Sequence, residues 1–302
     1  MTRLRETLAA IAALTALVAG SGCIDDLPPG WKIADARVLG VRVEVVGDPT
    51  IAAPAPGDTA RVSVIFAEPP SSAETPIGWG VLVGPALLTG DARPIVFEVP
   101  IPDAATLGTT RSLSAVGLVC SDGAPTLTPG SMMPSCSAGT TRSTTLLYTL
   151  ALARAEVPAN HNPELGADFA TFDGVLWEPP ADALPATGCA ALTGGGALPL
   201  VPVSMTVKLI RLVVADAQRE SVINVDGSPV TEAITLSHFT SDGELERQFS
   251  VFEGVTAVPS EIEWTPTKLT PSADGTLVRF WFVARDGRGG LAFTTRALCV
   301  VP

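Results

Sequence analysis

From Trp31 onward, apolar residues recur at every second position rather than every third or fourth, which is the period of a half-buried strand. Val41, Val43 and Val45 share one face, with Arg42 and Glu44 on the other. Ala60, Val62, Val64 and Phe66 repeat the pattern beyond a turn at Pro54–Asp58. Further strands are predicted over 78–83, 94–99, 112–120 and 144–153, the last with Leu146, Tyr148, Leu150 and Leu152 on one side. In the second half they are predicted over 172–177, 203–214, 231–240, 246–252, 261–265, 277–285 and 291–301. In the segment 203–214, Val203, Met205, Val207 and Leu209 form the predicted apolar face. Along 277–285, Val278, Phe280, Phe282 and Ala284 lie on one face, while Arg279, Trp281 and Arg285 lie on the other. Asp286-Gly287 follows as a hairpin turn, because both residues tolerate positive φ.

Short strands with a turn every eight to twelve residues predict antiparallel sandwiches rather than barrels. The one extended break, residues 156–165, holds Pro158, Asn160, Asn162 and Pro163 and reads as a linker. The predicted fold is therefore all-β, with one sandwich over residues 31–155 and a second over 156–302.

The first thirty residues obey a different pattern. Arg3 and Arg5 precede an apolar run, Leu8 to Val18, and then the small residues Ala19-Gly20-Ser21-Gly22. This is the layout of an export signal, and its apolar run is too short for a stable membrane span. Cys23 follows at once, and the arrangement resembles the bacterial lipobox, although Gly20 stands where that motif prefers Leu. The resemblance implies cleavage after residue 22, acylation of Cys23, and a short Pro-rich tether over residues 23–30.

The chain has five cysteines, an odd count in an oxidising compartment. With Cys23 set aside, Cys120, Cys136, Cys189 and Cys299 allow two disulfides in three connectivities. Cys120 and Cys136 flank a loop rich in Pro, which favours their pairing and leaves Cys189 to tie to Cys299 near the C-terminus. No CxxC spacing exists and there are only two histidines, so no metal or cofactor site is predicted.

Net charge is −12 with only three lysines, which opposes nucleic-acid binding and electrostatic docking on anionic lipid. Membrane attachment then rests on acyl chains at Cys23, since each buried CH2 adds about 0.8 kcal/mol.

Three pieces of the chain, the run 35–42 with 54–59, Ala159-Asn160-His161-Asn162-Pro163, and 278–286 with Gly287-Arg288-Gly289-Gly290, resemble bacterial surface lipoproteins with tandem immunoglobulin-like domains. The resemblance implies two Ig-like sandwiches on a lipid anchor and brings no ligand or catalytic residue with it. The Cys…Trp…Cys pin of antibody-type domains is missing, because Cys120 and Cys136 are too close together to form it.

Candidate chemistry is sparse. His161 and His238 are the only imidazole bases, and neither GxSxG nor HExxH occurs. The pairs Glu244/Glu246 and Glu261/Glu263 each place two carboxylates on one strand face, a layout shared by glycosidases and by ordinary wet faces. Glu156, Glu164, Asp168 and Asp173 surround the linker without the dense ligand loop of a calcium site. Gly194-Gly195-Gly196 lacks the Lys-Ser/Thr of a phosphate loop. Of Trp31, Trp79, Trp177, Trp264 and Trp281, the last is the candidate ligand contact, because it is out of step with Phe280 and Phe282 and would stack on a sugar if exposed.

The expectation is a non-enzymatic lipoprotein of the cell envelope, held at the outer membrane on its periplasmic or surface face. Its expected partner is an envelope protein or a glycan, and no nucleic acid. A carbohydrate-binding module and a cryptic hydrolase are the alternatives.

Overall fold

The computed structural model describes residues 28–69, 77–84, 86–91, 93–121, 123–127, 134–137, 142–153, 159–180, 184, 188–189, 198–203, 206–223, 227–254, 256, 258–266 and 269–302. Cys23, Glu156, Gly194–Gly196 and the whole proposed signal segment lie outside the described residues.

The N-terminal half is built from β1 (Arg37–Val45), β2 (Thr59–Ala67), β3 (Ile77–Val83), β4 (Ala86–Gly90), β5 (Ile95–Pro100), β6 (Ser112–Ser121), the two-residue β7 (Pro125–Thr126) and β8 (Ser135–Cys136), and β9 (Arg142–Ala151). One short helix, α1 (Ala104–Leu107), is capped by Asp103, whose carboxylate accepts from Thr106 N at 2.8 Å. The strands form a three-stranded sheet β1-β2-β5 and a four-stranded sheet β4-β3-β6-β9. Alternation decides which side chains meet between them. Val41, Val43, Val62 and Val64 face Val81, Val119, Leu146 and Leu150 in one core.

The C-terminal half contains β10 (Ala170–Phe172), β11 (Val175–Leu176), β12 (Leu200–Pro202), β13 (Lys208–Leu212), β14 (Ser221–Ile223), β15 (Pro229–Thr231), β16 (Ile234–Thr240), β17 (Glu244–Leu245), β18 (Phe249–Phe252), β19 (Ser260–Thr265), β20 (Thr276–Arg285) and β21 (Leu291–Val301). Its two main sheets run β11-β10-β13-β19-β17 and β12-β21-β20-β16-β18. Within them, β10-β13-β19 and β18-β16-β20-β21 repeat the order β1-β2-β5 and β4-β3-β6-β9 strand for strand. The repeat extends into sequence: β6 and β20 have the same length, start Ser-Leu and Thr-Leu, and are followed by Asp122-Gly123 and Asp286-Gly287.

Glycine placement explains how β3 is buried on both faces. A Cβ at Gly78 would lie 2.1 Å from Gly123 O, and one at Gly80 would lie 2.8 Å from Pro125 Cβ. Gly123, Ala124 and Pro125 therefore lie against the outer face of the sheet, and those side-chain-free positions admit them. The disulfide Cys120–Cys136 closes that flap, and Cys189–Cys299 ties the β12 side of the second half to β21. Both are the predicted pairs.

Several local predictions need correction. Segment 172–177 is a hairpin, β10–β11, turned by Asp173 (φ 48°) and Gly174 (φ 81°). In the segment 203–214 the apolar face is inverted: Ile210, Leu212 and Val214 are buried while Val207 and Leu209 are exposed. Apolar residues occupy both parities there, so alternation alone could not choose. The β20–β21 connection is five residues, Asp286 to Gly290, since Arg285 pairs with Leu291.

The two halves share a third core. Ile33, Leu39, Ile65 and Ala67 from the first half's outer surface pack on Phe239, Trp281, Val283 and Leu291. Strand β20 is thus buried on both faces, by the core of the C-terminal half and by this shared core. Residues 31–33, assigned to the first half by sequence, dock on the second: Ile33 N donates to Thr240 O at 2.9 Å and Thr240 N donates to Trp31 O at 3.0 Å.

Candidate functional site at the junction

Of the expected linker 156–165, the described residues 159–165 form a wedge. Asn162 is buried; its Nδ2 donates to Val43 O at 2.7 Å, and its Oδ1 accepts from Leu291 N at 2.9 Å. Its own N–H donates to Thr50 O at 2.6 Å, and Ala52 N donates to Asn160 O at 2.8 Å. Asn160 Nδ2 donates to Asp286 Oδ2 at 2.8 Å. Pro and Asn do punctuate here, but the Asn162 amide satisfies backbone groups of both halves and Asn160 Nδ2 holds the Asp286 carboxylate.

Asp286 organises the loop after β20. Its Oδ1 accepts from Arg288 N at 2.7 Å and from Gly290 N at 2.9 Å. A Cβ at Gly290 would lie 2.2 Å from Asp286 Oδ2 and 2.6 Å from His161 O, so glycine is required where the loop meets the wedge. Arg285 donates to Leu39 O and, at 3.0 Å, to Ser237 Oγ; Arg42 donates to Leu291 O at 2.9 Å. Leu39 and Arg42, the wedge residues Asn160 and Asn162, and the loop after β20 therefore meet at this place.

A charged cluster sits beside it. Arg288 bridges Glu220 and Glu232, donating to Glu232 Oε2 from Nε at 3.2 Å and from Nη2 at 3.0 Å. Glu232 Oε1 accepts from Glu220 N at 3.1 Å. His161 Nδ1 contacts Glu220 Oε1. Burial raises the Glu232 carboxyl above its ordinary range, with Arg288 and the Glu220 amide opposing. Sequence patterning did not single out Glu220, Glu232 or Arg288 as a cluster, because they are brought together by the β14–β15 hairpin and the β20–β21 loop.

Between β1, β9 and this loop lies a cleft of about 550 Å³, lined among others by Val41, Leu147, Tyr148, Arg285 and Gly289. Burial, helped by Asp286, pushes the Tyr148 phenol up to about 12, so it stays a neutral hydroxyl. A second cleft of about 570 Å³ lies beside β11 and β12, between Trp177, Pro179, Leu200 and Lys208.

The other sequence candidates are scattered. His238 is fully buried against Phe282, with Nδ1 3.5 Å from Arg247 O, and burial pushes it down to about 4. Among the described residues, neither histidine is hydrogen-bonded to a hydroxyl or thiol nucleophile. Glu246 and Glu263 pair through the β17–β19 edge, Glu263 N donating to Glu246 Oε2 at 3.2 Å, and both are exposed with Glu244 and Glu261. Asp173 holds Lys208 at 2.9 Å, and Asp168 and Glu164 stand exposed. Among the described residues, no group of three His, Cys, Asp or Glu side chains is placed to hold a metal ion.

Trp281 is corrected. It is 7% exposed and belongs to the shared core with Phe239 and Leu291, so its face is closed to a sugar. Trp79, Trp177 and Trp264 are buried as well, and Trp31 packs partly buried on the second core. There is no exposed tryptophan row among them.

No protein-family model matches the chain, and no curated protein is similar to it in sequence.

Proposed function

We propose that this chain is an exported lipoprotein of the cell envelope, anchored by acyl chains on Cys23 and presenting two tandem Ig-like sandwiches that bind another envelope component without catalysis. The carrying observation is the cysteine pairing. Cys120–Cys136 and Cys189–Cys299 account for four of the five cysteines, leaving Cys23 alone, directly after an apolar run and small residues.

The repeated seven-strand order supports the Ig-like reading, since connections such as β2–β3 and β5–β6 cross between sheets as in Greek-key sandwiches. The non-catalytic reading draws on the junction chemistry. Its carboxylates hold Arg288, His161, Asn160 and backbone amides, so their lone pairs serve structure. The outer membrane is the compartment we assign, on its periplasmic or surface face.

The test is fractionation of cells producing the wild type or Cys23→Ala. The wild type should sediment with membranes and extract only with detergent, and the variant should appear in the soluble fraction. A variant retained fully in the membrane fraction would overturn the anchor.

A further inference from the structure

Gly30, at the end of the short tether, lies against one particular patch of surface. A Cβ at Gly30 would lie 2.6 Å from Gln248 Oε1. Gly30 O accepts from Arg37 Nη2 at 2.6 Å, and the Arg37 guanidinium stands 5.0 Å from the Phe239 ring centroid. Phe239 lies on the outer face of sheet β12-β21-β20-β16-β18. Strand β18 is the edge of that sheet, with Ser237 opposite Phe249 and Thr235 opposite Val251. Phe249 and Val251 point to the same outer face and are 58% and 47% exposed, with only Ser250 between them. An exposed aromatic and a β-branched residue on an unpaired edge are what soluble proteins usually avoid.

We propose that the Phe249/Val251 edge of β18 is the face that rests on the lipid bilayer. This rests on the reading of Cys23 as the acylated residue. Cys23 lies seven positions before Gly30, so even a fully extended tether spans about 25 Å at most. That is less than the width of a small domain, so the surface nearest Gly30 is the surface nearest the lipid. Phe249 directly follows Gln248, whose side chain fills the space a Cβ at Gly30 would need. The occupant is zwitterionic lipid, because a net charge of −12 is repelled by anionic headgroups. Aromatic and aliphatic side chains at the headgroup boundary then add to the acyl anchor and fix the orientation of the module above the membrane.

The test uses the full lipidated protein in vesicles of phosphatidylcholine and phosphatidylethanolamine. A photoreactive benzoylphenylalanine replaces Phe249, Val251 or, as control, Val175, which is 70% exposed on β11 at the far edge of the opposite sheet. After illumination, lipid adducts are expected at 249 and 251 and not at 175. With Cys23→Ala the adducts at 249 are expected to vanish, since two side chains alone do not hold the protein at the vesicle. Vesicle-bound protein without lipid adducts at 249 and 251, or with adducts only to a second copy or another protein, would overturn the docking face and leave the anchor standing. Wild-type protein that never binds vesicles would instead remove the anchor, and the docking face with it.

Discussion

Asn162 and Leu291 are 129 residues apart, yet the Leu291 N–H donates to Asn162 Oδ1 at 2.9 Å in a buried setting. The same side chain donates to Val43 O, so one amide joins β1, the wedge and the start of β21. Asn162 thus adds a buried polar link between the two halves to the apolar core they share.

Replacing it should be costly. Asn162→Ala leaves Val43 O and Leu291 N buried without partners, which we expect to destabilise the protein by about 2–4 kcal/mol. Asn162→Asp keeps an acceptor for Leu291 N but removes the donor to Val43 O and buries a charge, so it should not rescue. Urea titration followed by tryptophan fluorescence measures both, and a loss within about 0.5 kcal/mol, ordinary for a surface position, would contradict the clamp.

Trp281 offers a second test of the same interface. Trp281→Ala removes the largest side chain of the shared core and should cost about 3–5 kcal/mol. Calorimetry is the readout. An unchanged melting temperature would return Trp281 to the role of an exposed contact.

The buried His238 predicts acid sensitivity. Its folded value of about 4 lies below the ordinary 6.5, because burial disfavours the imidazolium. The unfolded chain therefore takes up the proton first. The contribution of neutral His238 is fully present above about pH 6.5 and falls away as pH drops toward 4, a change on the order of 3 kcal/mol. Urea midpoints at pH 7 and pH 4.5 should differ less for His238→Phe than for the wild type. Equal acid sensitivity in both would show that other groups carry the effect.

The two disulfides should differ in weight. Loop-closure entropy assigns about 3 kcal/mol to Cys120–Cys136 and about 4.7 kcal/mol to Cys189–Cys299, from separations of 16 and 110 residues. The double alanine variant of the long pair is expected to melt lower than that of the short pair. The reverse order would mean that the flap over Gly78 and Gly80 matters more than chain entropy.

The alternation of apolar and polar residues made the all-strand class and most strand positions readable, because a one-sided sheet imposes period two. It failed where both faces are buried. Trp281 was out of step with Phe280 and Phe282 for the same reason that it looked exposed: its face belongs to a second core that no local pattern encodes. Segment 203–214 misleads for a different reason: Val207, Leu209, Ile210 and Leu212 offer an apolar residue at either parity, although only the face of Ile210 and Leu212 is buried. The wedge was legible only as residue types. Asn160 and Asn162 read locally as part of a linker, but their partners, Asp286, Val43 and Leu291, are fixed by the packing of one half on the other. The cluster of Glu220, Glu232 and Arg288 has no local signature, because Glu220 and Glu232 flank the β14–β15 hairpin while Arg288 comes from the distant β20–β21 loop.

The central claim, that acyl chains on one thiol hold this all-strand protein at the envelope, is tested most directly by the intact mass and N-terminal peptide of protein purified from membranes. The account predicts a chain starting at Cys23, heavier than its sequence by a diacylglyceryl thioether and, where present, an amide-linked fatty acid, with the other four cysteines oxidised. A mature chain starting elsewhere, or an unmodified Cys23 thiol in membrane-extracted protein, would contradict it.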